Sequence, residues 1–148
     1  MKVSFRRKVL IGRHEMVSIP DTHKDLIERP IVAALATLMP DNQPQVTPVW
    51  FGYEDGFILV NTARGRQKDR NMSERPKVTL LVIDPDNPYR YLEIRGTVIE
   101  INEEEGLEHI NTLTRRYTSR DQYFTNEEDK AKQQRAVFKI KPDSINAG

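Results

Sequence analysis

Asn61-Thr62-Ala63-Arg64-Gly65-Arg66-Gln67-Lys68-Asp69-Arg70-Asn71 is the pivot of this sequence. Phe57-Ile58-Leu59-Val60 precedes it, a short apolar run that reads as a buried strand. A helical segment follows and ends near Pro76, because a proline turns the residue before it away from helical geometry. The stretch is therefore a strand-to-helix turn, with Gly65 at the bend and Thr62 as a candidate cap. Arg64, Arg66, Lys68 and Arg70 stand there against a single anion, Asp69. That sign is wrong for a helix start, where free N–H groups and the macrodipole favour negative charge. Clustered cations make sense there if a bound anion sits among them. They suit a solvated basic turn equally well, and charge alone does not choose between the two.

On either side of this turn the chain alternates strands with turn-forming residues. Pro20 to Glu28 reads as a short helix capped by Asp21, with Ile19 packing back over Leu26 or Ile27. Ile31 to Leu38 is small and apolar; its alanines leave a helix open, but its length and the flanking Pro30 and Pro40 favour a strand buried on both faces. Gln45 to Tyr53 reads as one strand, with Pro48 marking an edge or a bulge because proline cannot donate to a ladder. Glu54-Asp55-Gly56 turns it into Phe57–Thr62 as a hairpin.

Beyond the basic turn, Lys77 to Asp84 is strongly apolar and Pro85-Asp86-Asn87-Pro88 ends it. Tyr89 to Ile101 is long and β-rich, with Gly96 as its bulge or bend. Asn102 and Glu105 have capping-box spacing, and Leu107, Ile110, Leu113 and Tyr117 recur on one helical face. A polar helix around Glu127 to Gln134 precedes a last strand, Ala136 to Ile140. Six strands with few helices give an α+β chain built on an antiparallel barrel or sheet.

The 148 residues suit one domain, residues 19–148, preceded by a basic arm, residues 1–18, that docks on a partner subunit or extends free. A net charge of +1 argues against bulk electrostatic binding of nucleic acid or membrane. The absence of cysteine removes thiolate chemistry and fits a cytoplasmic location. No run approaches the roughly 18 apolar residues of a membrane span. The Val9-Leu10-Ile11 run in the arm is too short for a secretory signal.

Side chains that announce chemistry are scarce. His14, His23 and His109 lie far apart without metal-ligand spacing. Glu103-Glu104-Glu105 is the ordinary charge pattern of a helix start. No Gly-x-Ser-x-Gly, dinucleotide fingerprint or P-loop occurs. What remains is a binding protein, or an enzyme whose cofactor carries the reactive atom. Trp50 and Phe51 read first as core, yet with Pro48 beside them they also suit a ring-binding wall. Pro88-Tyr89-Arg90-Tyr91 interleaves aromatic rings with a cation at another strand's mouth. A flat, phosphate-bearing ligand would satisfy both features, and so would a single-stranded nucleic acid.

The order of a small-apolar strand, Gln45-Val46-Thr47-Pro48-Val49-Trp50-Phe51, the Asn61–Asn71 turn and Tyr91-Leu92-Glu93-Ile94-Arg95-Gly96 resembles the pyridoxamine-phosphate-oxidase-like split β-barrel proteins. It is most similar to the branch that uses the deazaflavin coenzyme F420, over about residues 20 to 142. The resemblance implies a six-stranded split barrel and a homodimer with two cofactor sites at the subunit interface. It further implies that Arg66 and Lys68 bind the cofactor's phosphate or acidic tail, with Thr62, Arg64 and Asn71 nearby. Thr47, Pro48, Val49 and Trp50 would line the ring through their backbone, and Arg90 and Tyr91 would border it. The chain ends Lys141-Pro142-Asp143-Ser144-Ile145-Asn146-Ala147-Gly148 and lacks the Arg-Leu-x-Pro ending of true vitamin B6 phosphate oxidases, which argues against pyridoxamine phosphate as substrate. The expectation is a hydride-transferring oxidoreductase that uses F420, with solvent or a nearby tyrosine giving the proton. FMN in the same fold is the alternative, and a non-catalytic binder of flavin, haem or single-stranded nucleic acid is the third reading.

Overall fold

The computed structural model describes residues 17–148. Most of the basic arm, with His14, lies outside the described residues. A 3-10 turn, Asp21–His23, leads into α1 (Asp25–Glu28). Asp21 does not cap it: Pro20 holds the cap position, and the Asp21 carboxylate pairs with Lys24 at 2.6 Å. Ile19, Leu26 and Ile27 are buried together in the core, as their spacing suggests.

Seven strands form one antiparallel sheet: β1 (Ala33–Leu38), β2 (Pro44–Val49), β3 (Phe51–Glu54), β4 (Phe57–Ala63), β5 (Lys77–Ile83), β6 (Tyr91–Asn102) and β7 (Arg135–Ala147), in the order β2-β1-β5-β6-β7-β4-β3. The expected six becomes seven because the run Gln45–Tyr53 is two strands. Its first half pairs with β1 and its second with β4, so they sit at opposite edges of the sheet with only Trp50 between them. The sheet therefore curls until one polypeptide segment bridges its two edges, which is how a split barrel closes. Pro48 lies opposite Ala34 on the edge strand β2, where its missing N–H costs no ladder bond. Tyr117 pins the junction: its hydroxyl donates to Ile31 O (2.8 Å) and accepts from Phe51 N (3.2 Å), while its ring stacks on Trp50 at 5.4 Å.

The β3–β4 hairpin turns through Asp55 (φ 53°) and Gly56 (φ 86°), the paired positive-φ geometry whose twist matches the flanking strands. The expected bulge lies across from Gly96 rather than in its own strand: Arg95 is opposite Ser144 and Gly96 opposite Pro142, so Asp143 on β7 is the extra residue. That bulge lets β7 run past Pro142 to Ala147, well beyond its expected end at Ile140. Phe51, Ile58, Val60, Leu80, Leu92, Ile94, Phe138 and Ile140 point inward and are essentially inaccessible to solvent.

Three helices besides α1 are draped on the sheet: α2 (Gln67–Glu74), α3 (Gly106–Tyr117) and α4 (Glu127–Lys132). Half of the expected capping box forms, as Asn102 Oδ1 accepts from Glu105 N at 3.0 Å. The helix starts at Gly106, three residues later than a cap at Asn102 implies, and Leu107 is exposed rather than buried. Gly106 takes the inward place because α3 approaches the β7 backbone too closely for a side chain. No described helix is long and apolar enough to cross a membrane.

Candidate functional site

The basic turn is where β4 ends and α2 begins. Gly65 adopts φ +92°, the left-handed conformation that glycine takes without strain. Asp69 braces the bend from inside: it is 4% exposed, its Oδ2 accepts from Gly65 N at 2.7 Å, and its Oδ1 accepts from Ser73 Oγ at 3.1 Å. Thr62 is not the helix cap. Arg66 occupies that position with no side-chain hydrogen bond to the helix. The first turn of α2 thus presents uncapped N–H groups, the feature of helix starts that attracts anions.

The four cations divide into two pairs. Arg64 is engaged by Asp69 (3.2 Å) and Glu103 (3.4 Å), lies over the Phe138 ring, and its backbone N–H donates to Gln134 O at 2.7 Å. Arg70 closes the turn, donating to Gly65 O and Gln67 Oε1 at 2.6 Å each. Arg66 and Lys68 make no ion pair with any described residue, and both line a groove of about 330 Å³. Burial, with Arg66 and Arg135 close by, pushes the Lys68 ammonium below its ordinary range.

The rest of that groove is apolar and aromatic. Pro48, Val49 and Trp50 form one wall at the β2–β3 junction, and Val32, Ile110 and Leu113 contribute aliphatic surface. Tyr123 stands edge-on to Trp50 at 6.4 Å and packs against Phe124 at 5.0 Å. A flat ring system with an anionic group fits such a lining: aromatic and aliphatic faces beside cations that have no carboxylate partner among the described residues.

The structure brings Pro48, Val49, Trp50, Arg66 and Lys68 together around this groove. Thr47 is half-buried on β2 opposite Leu35. Thr62 is buried on β4 opposite Ala136, and its hydroxyl has no hydrogen-bond partner among the described residues. Asn71 is fully buried, with its amide 3.0 Å from the Thr37 hydroxyl and 2.8 Å from the Gln67 side chain, so it ties α2 to β1. Arg90 lies in an ion-pair knot with Asp25 and Asp84 and donates to Thr22 O; its guanidinium holds the Asp25 carboxyl down at about 2. Tyr91, 37% exposed, pairs through its backbone with Gly148. Neither Arg90 nor Tyr91 lines the groove.

Arg135, Asn61 and Tyr123 are groove residues that the sequence reading did not single out. Arg135 opens β7 and is only 4% exposed. Its Nε donates to Asn61 Oδ1 at 2.9 Å and its Nη1 to Gln133 Oε1 at 3.0 Å, while the guanidinium lies 5.0 Å from the Tyr123 ring centre. Burial pushes this guanidinium down to about 10, and Arg66 adds to the shift while Tyr123 opposes it. A signal existed: from Gln133 to Pro142 the sequence offers three cations and no acid. Behind Asn61, the amide Nδ2 donates to Gly106 O (2.8 Å) and faces His109 Nδ1 at 3.1 Å. Burial holds His109 down at about 4, so it is neutral at physiological pH. Among the described residues no group of three acids or histidines is placed to hold a metal.

Comparison with known proteins agrees with this architecture. A solved structure titled as an F420 reductase is 37% identical, with 86% of this chain and 98% of that chain covered and a TM-score of 0.76. A conserved hypothetical protein from Mycobacterium tuberculosis is 26% identical over 92% of this chain and 88% of its own, with a TM-score of 0.68. A putative pyridoxamine 5'-phosphate oxidase from Listeria innocua shares the fold, at 18% identity, 86% and 95% coverage and a TM-score of 0.66. No curated protein matches the chain. The pyridoxamine 5'-phosphate oxidase family model matches residues 19–147, nearly the whole described length, and the chain belongs to that family.

Proposed function

We propose that the protein is an oxidoreductase that binds coenzyme F420 in the groove between the β2–β3 junction and the start of α2. The observation that carries this reading is the pair Arg66 and Lys68, without carboxylate partners among the described residues, beside an uncapped helix start and an aromatic-walled groove. Arg66 and Lys68 would hold the phosphate or the acidic tail, with the helix N–H groups completing the anion's shell. Pro48, Val49 and Trp50 would carry the flat ring. When bound, the deazaflavin supplies the hydride chemistry; the chain's own residues orient the two reactants and exclude water. Tyr117 spends its hydroxyl on Ile31 and Phe51, which leaves Tyr123 or solvent as the proton source. The similarity to a structure titled F420 reductase favours the deazaflavin. FMN, with one phosphate, is the second reading.

A second copy of the chain would complete the site. Val46, Ile83 and Tyr91 are exposed on the outer side of β2, β5 and β6, Val32 is exposed just before β1, and Ala34, opposite both Pro48 and Leu81, continues the same apolar surface. Val32 and Pro48 belong to the groove as well, so a protomer docked there would wall it in. A monomer mass by light scattering for the cofactor-loaded protein would remove this part of the reading.

Equilibrium titration with F420 and with FMN, followed by fluorescence, tests the proposal. The expected result is micromolar or tighter binding of F420 and much weaker binding of FMN. The reverse preference transfers the protein to FMN chemistry, and binding of neither defeats the cofactor reading.

A further inference from the structure

Arg66 is exposed and Lys68 half-buried at a helix start, but the third cation of the groove is of another kind. Arg135 is almost entirely buried, and its two hydrogen bonds go to neutral amide oxygens, Asn61 Oδ1 and Gln133 Oε1. A guanidinium carries five N–H donors in a fixed fork; with the Tyr123 hydroxyl also acting on this one, at least two of its outer donors have no partner among the described residues. No carboxylate among the described residues pairs with it, although buried charges are ordinarily paired because desolvation is costly. The Tyr123 ring offsets part of that cost from one face. Arg66 and Lys68, lining the same groove, add to it by repulsion. Arg90, by contrast, is less buried and has two carboxylates.

The fork is also held in place from behind. Because Asn61 Oδ1 accepts from Arg135, its Nδ2 must point the other way, toward Gly106 O and His109 Nδ1. A neutral His109 can accept there, and burial keeps it neutral. The chain His109–Asn61–Arg135 fixes the guanidinium's aim, and Gly106 brings α3 near enough for this to happen. A structural arginine would need no such bracing with its outer donors left over.

We propose that Arg135 is a buried anion anchor that receives the phosphate-bearing group of the ligand directly, and that it makes the groove discriminate phosphorylated ligands from their neutral counterparts. Asn61 and His109 are positioning residues for it. The proposal rests on the reading of the groove as a cofactor site and extends it to a residue on β7, outside the basic turn.

The test is a fluorescence titration of wild type, Arg135→Gln and Arg135→Lys with two pairs of probes: F420 against the same deazaflavin lacking its phosphate-bearing tail, and FMN against riboflavin. Arg135→Gln is expected to weaken the phosphorylated member tenfold or more and to leave the neutral member within about twofold, on the scale of one lost charge-assisted contact. Arg135→Lys, with the charge but not the fork, should recover part of the loss. Equal weakening of both members, or of neither, overturns the proposal. Should Arg135→Gln fail to fold, Arg135→Lys decides alone: selective weakening of the phosphorylated member supports the anchor and an unaltered preference overturns it. If wild type binds none of the four, the cofactor reading fails, and inorganic pyrophosphate then tests the anchor independently. Thermal stabilisation of wild type at constant ionic strength, diminished in Arg135→Lys, supports it; no stabilisation, or an equal one, overturns it.

Discussion

Gly106→Ala is expected to destabilise the protein although alanine is the better helix former. Gly106 is the first residue of α3, and a Cβ there would press into the Arg135 carbonyl and come 2.8 Å from Ala136 N, where ordinary contact begins at 3.4 Å. Both obstacles are backbone of β7 and cannot rotate away. The start of α3 would have to retreat by on the order of 1 Å, which opens the packing of Ile110 and Leu113 and stretches the 2.8 Å bond from Asn61 Nδ2 to Gly106 O. Overpacking against backbone costs about 3 kcal/mol, and the weakened hydrogen bond about 1 kcal/mol. Helix propensity returns up to about 1 kcal/mol. The net loss is about 3 kcal/mol, a sizeable part of the 5–15 kcal/mol typical of a domain. Urea denaturation should show a lower midpoint with an unchanged slope. Gly52→Ala is the control: a Cβ at Gly52 meets nothing within 4 Å, so its midpoint should stay put or rise slightly. A Gly106→Ala variant as stable as wild type would refute the claim that α3 rests on the β7 backbone.

Two further perturbations probe the walls of the groove. Tyr117→Phe removes the hydroxyl that serves both Ile31 O and Phe51 N, leaving two buried backbone groups short of a partner; the expected loss is about 1–3 kcal/mol by denaturation, and no loss would mean that water replaces it. His109 gives a pH signature. Its folded value of about 4 lies below the ordinary 6.5, so between those pH values the unfolded chain binds more protons and stability falls on acidification. The displacement corresponds to about 3 kcal/mol between pH 7 and pH 4. In His109→Gln that part of the pH dependence should vanish, and an unaltered profile would show that His109 is not the group responsible.

What was legible in the sequence was local. The β4–Gly65–α2 turn announces itself through an apolar run, a glycine and a proline limit, and the β3–β4 hairpin through Asp55-Gly56. Gly96 was legible as an irregularity, since it can approach Ile140 and Lys141 only without a side chain, but the extra residue there, Asp143, is on β7. Non-local pairing was not legible. Nothing within Gln45–Tyr53 tells that its halves belong to opposite sheet edges; that follows from closure of the whole sheet and from Tyr117, far along the chain. Charges suffered most. Arg64 and Arg90 look available in sequence, but Glu103, Asp25 and Asp84 reach them through the fold. Arg135 looks like an ordinary cation ahead of a strand, yet the fold buries it with no carboxylate partner among the described residues.

If cations of this groove bind the cofactor, Lys68→Ala must lose affinity for F420. Lys68 has no ion-pair partner among the described residues, so its loss should leave the unfolding midpoint unaltered. Removal of one charge-assisted contact costs on the order of 1.5–3 kcal/mol. Affinity should therefore fall about tenfold or more. A folded Lys68→Ala protein that binds F420 as tightly as wild type would contradict the account and move the cofactor elsewhere on the fold.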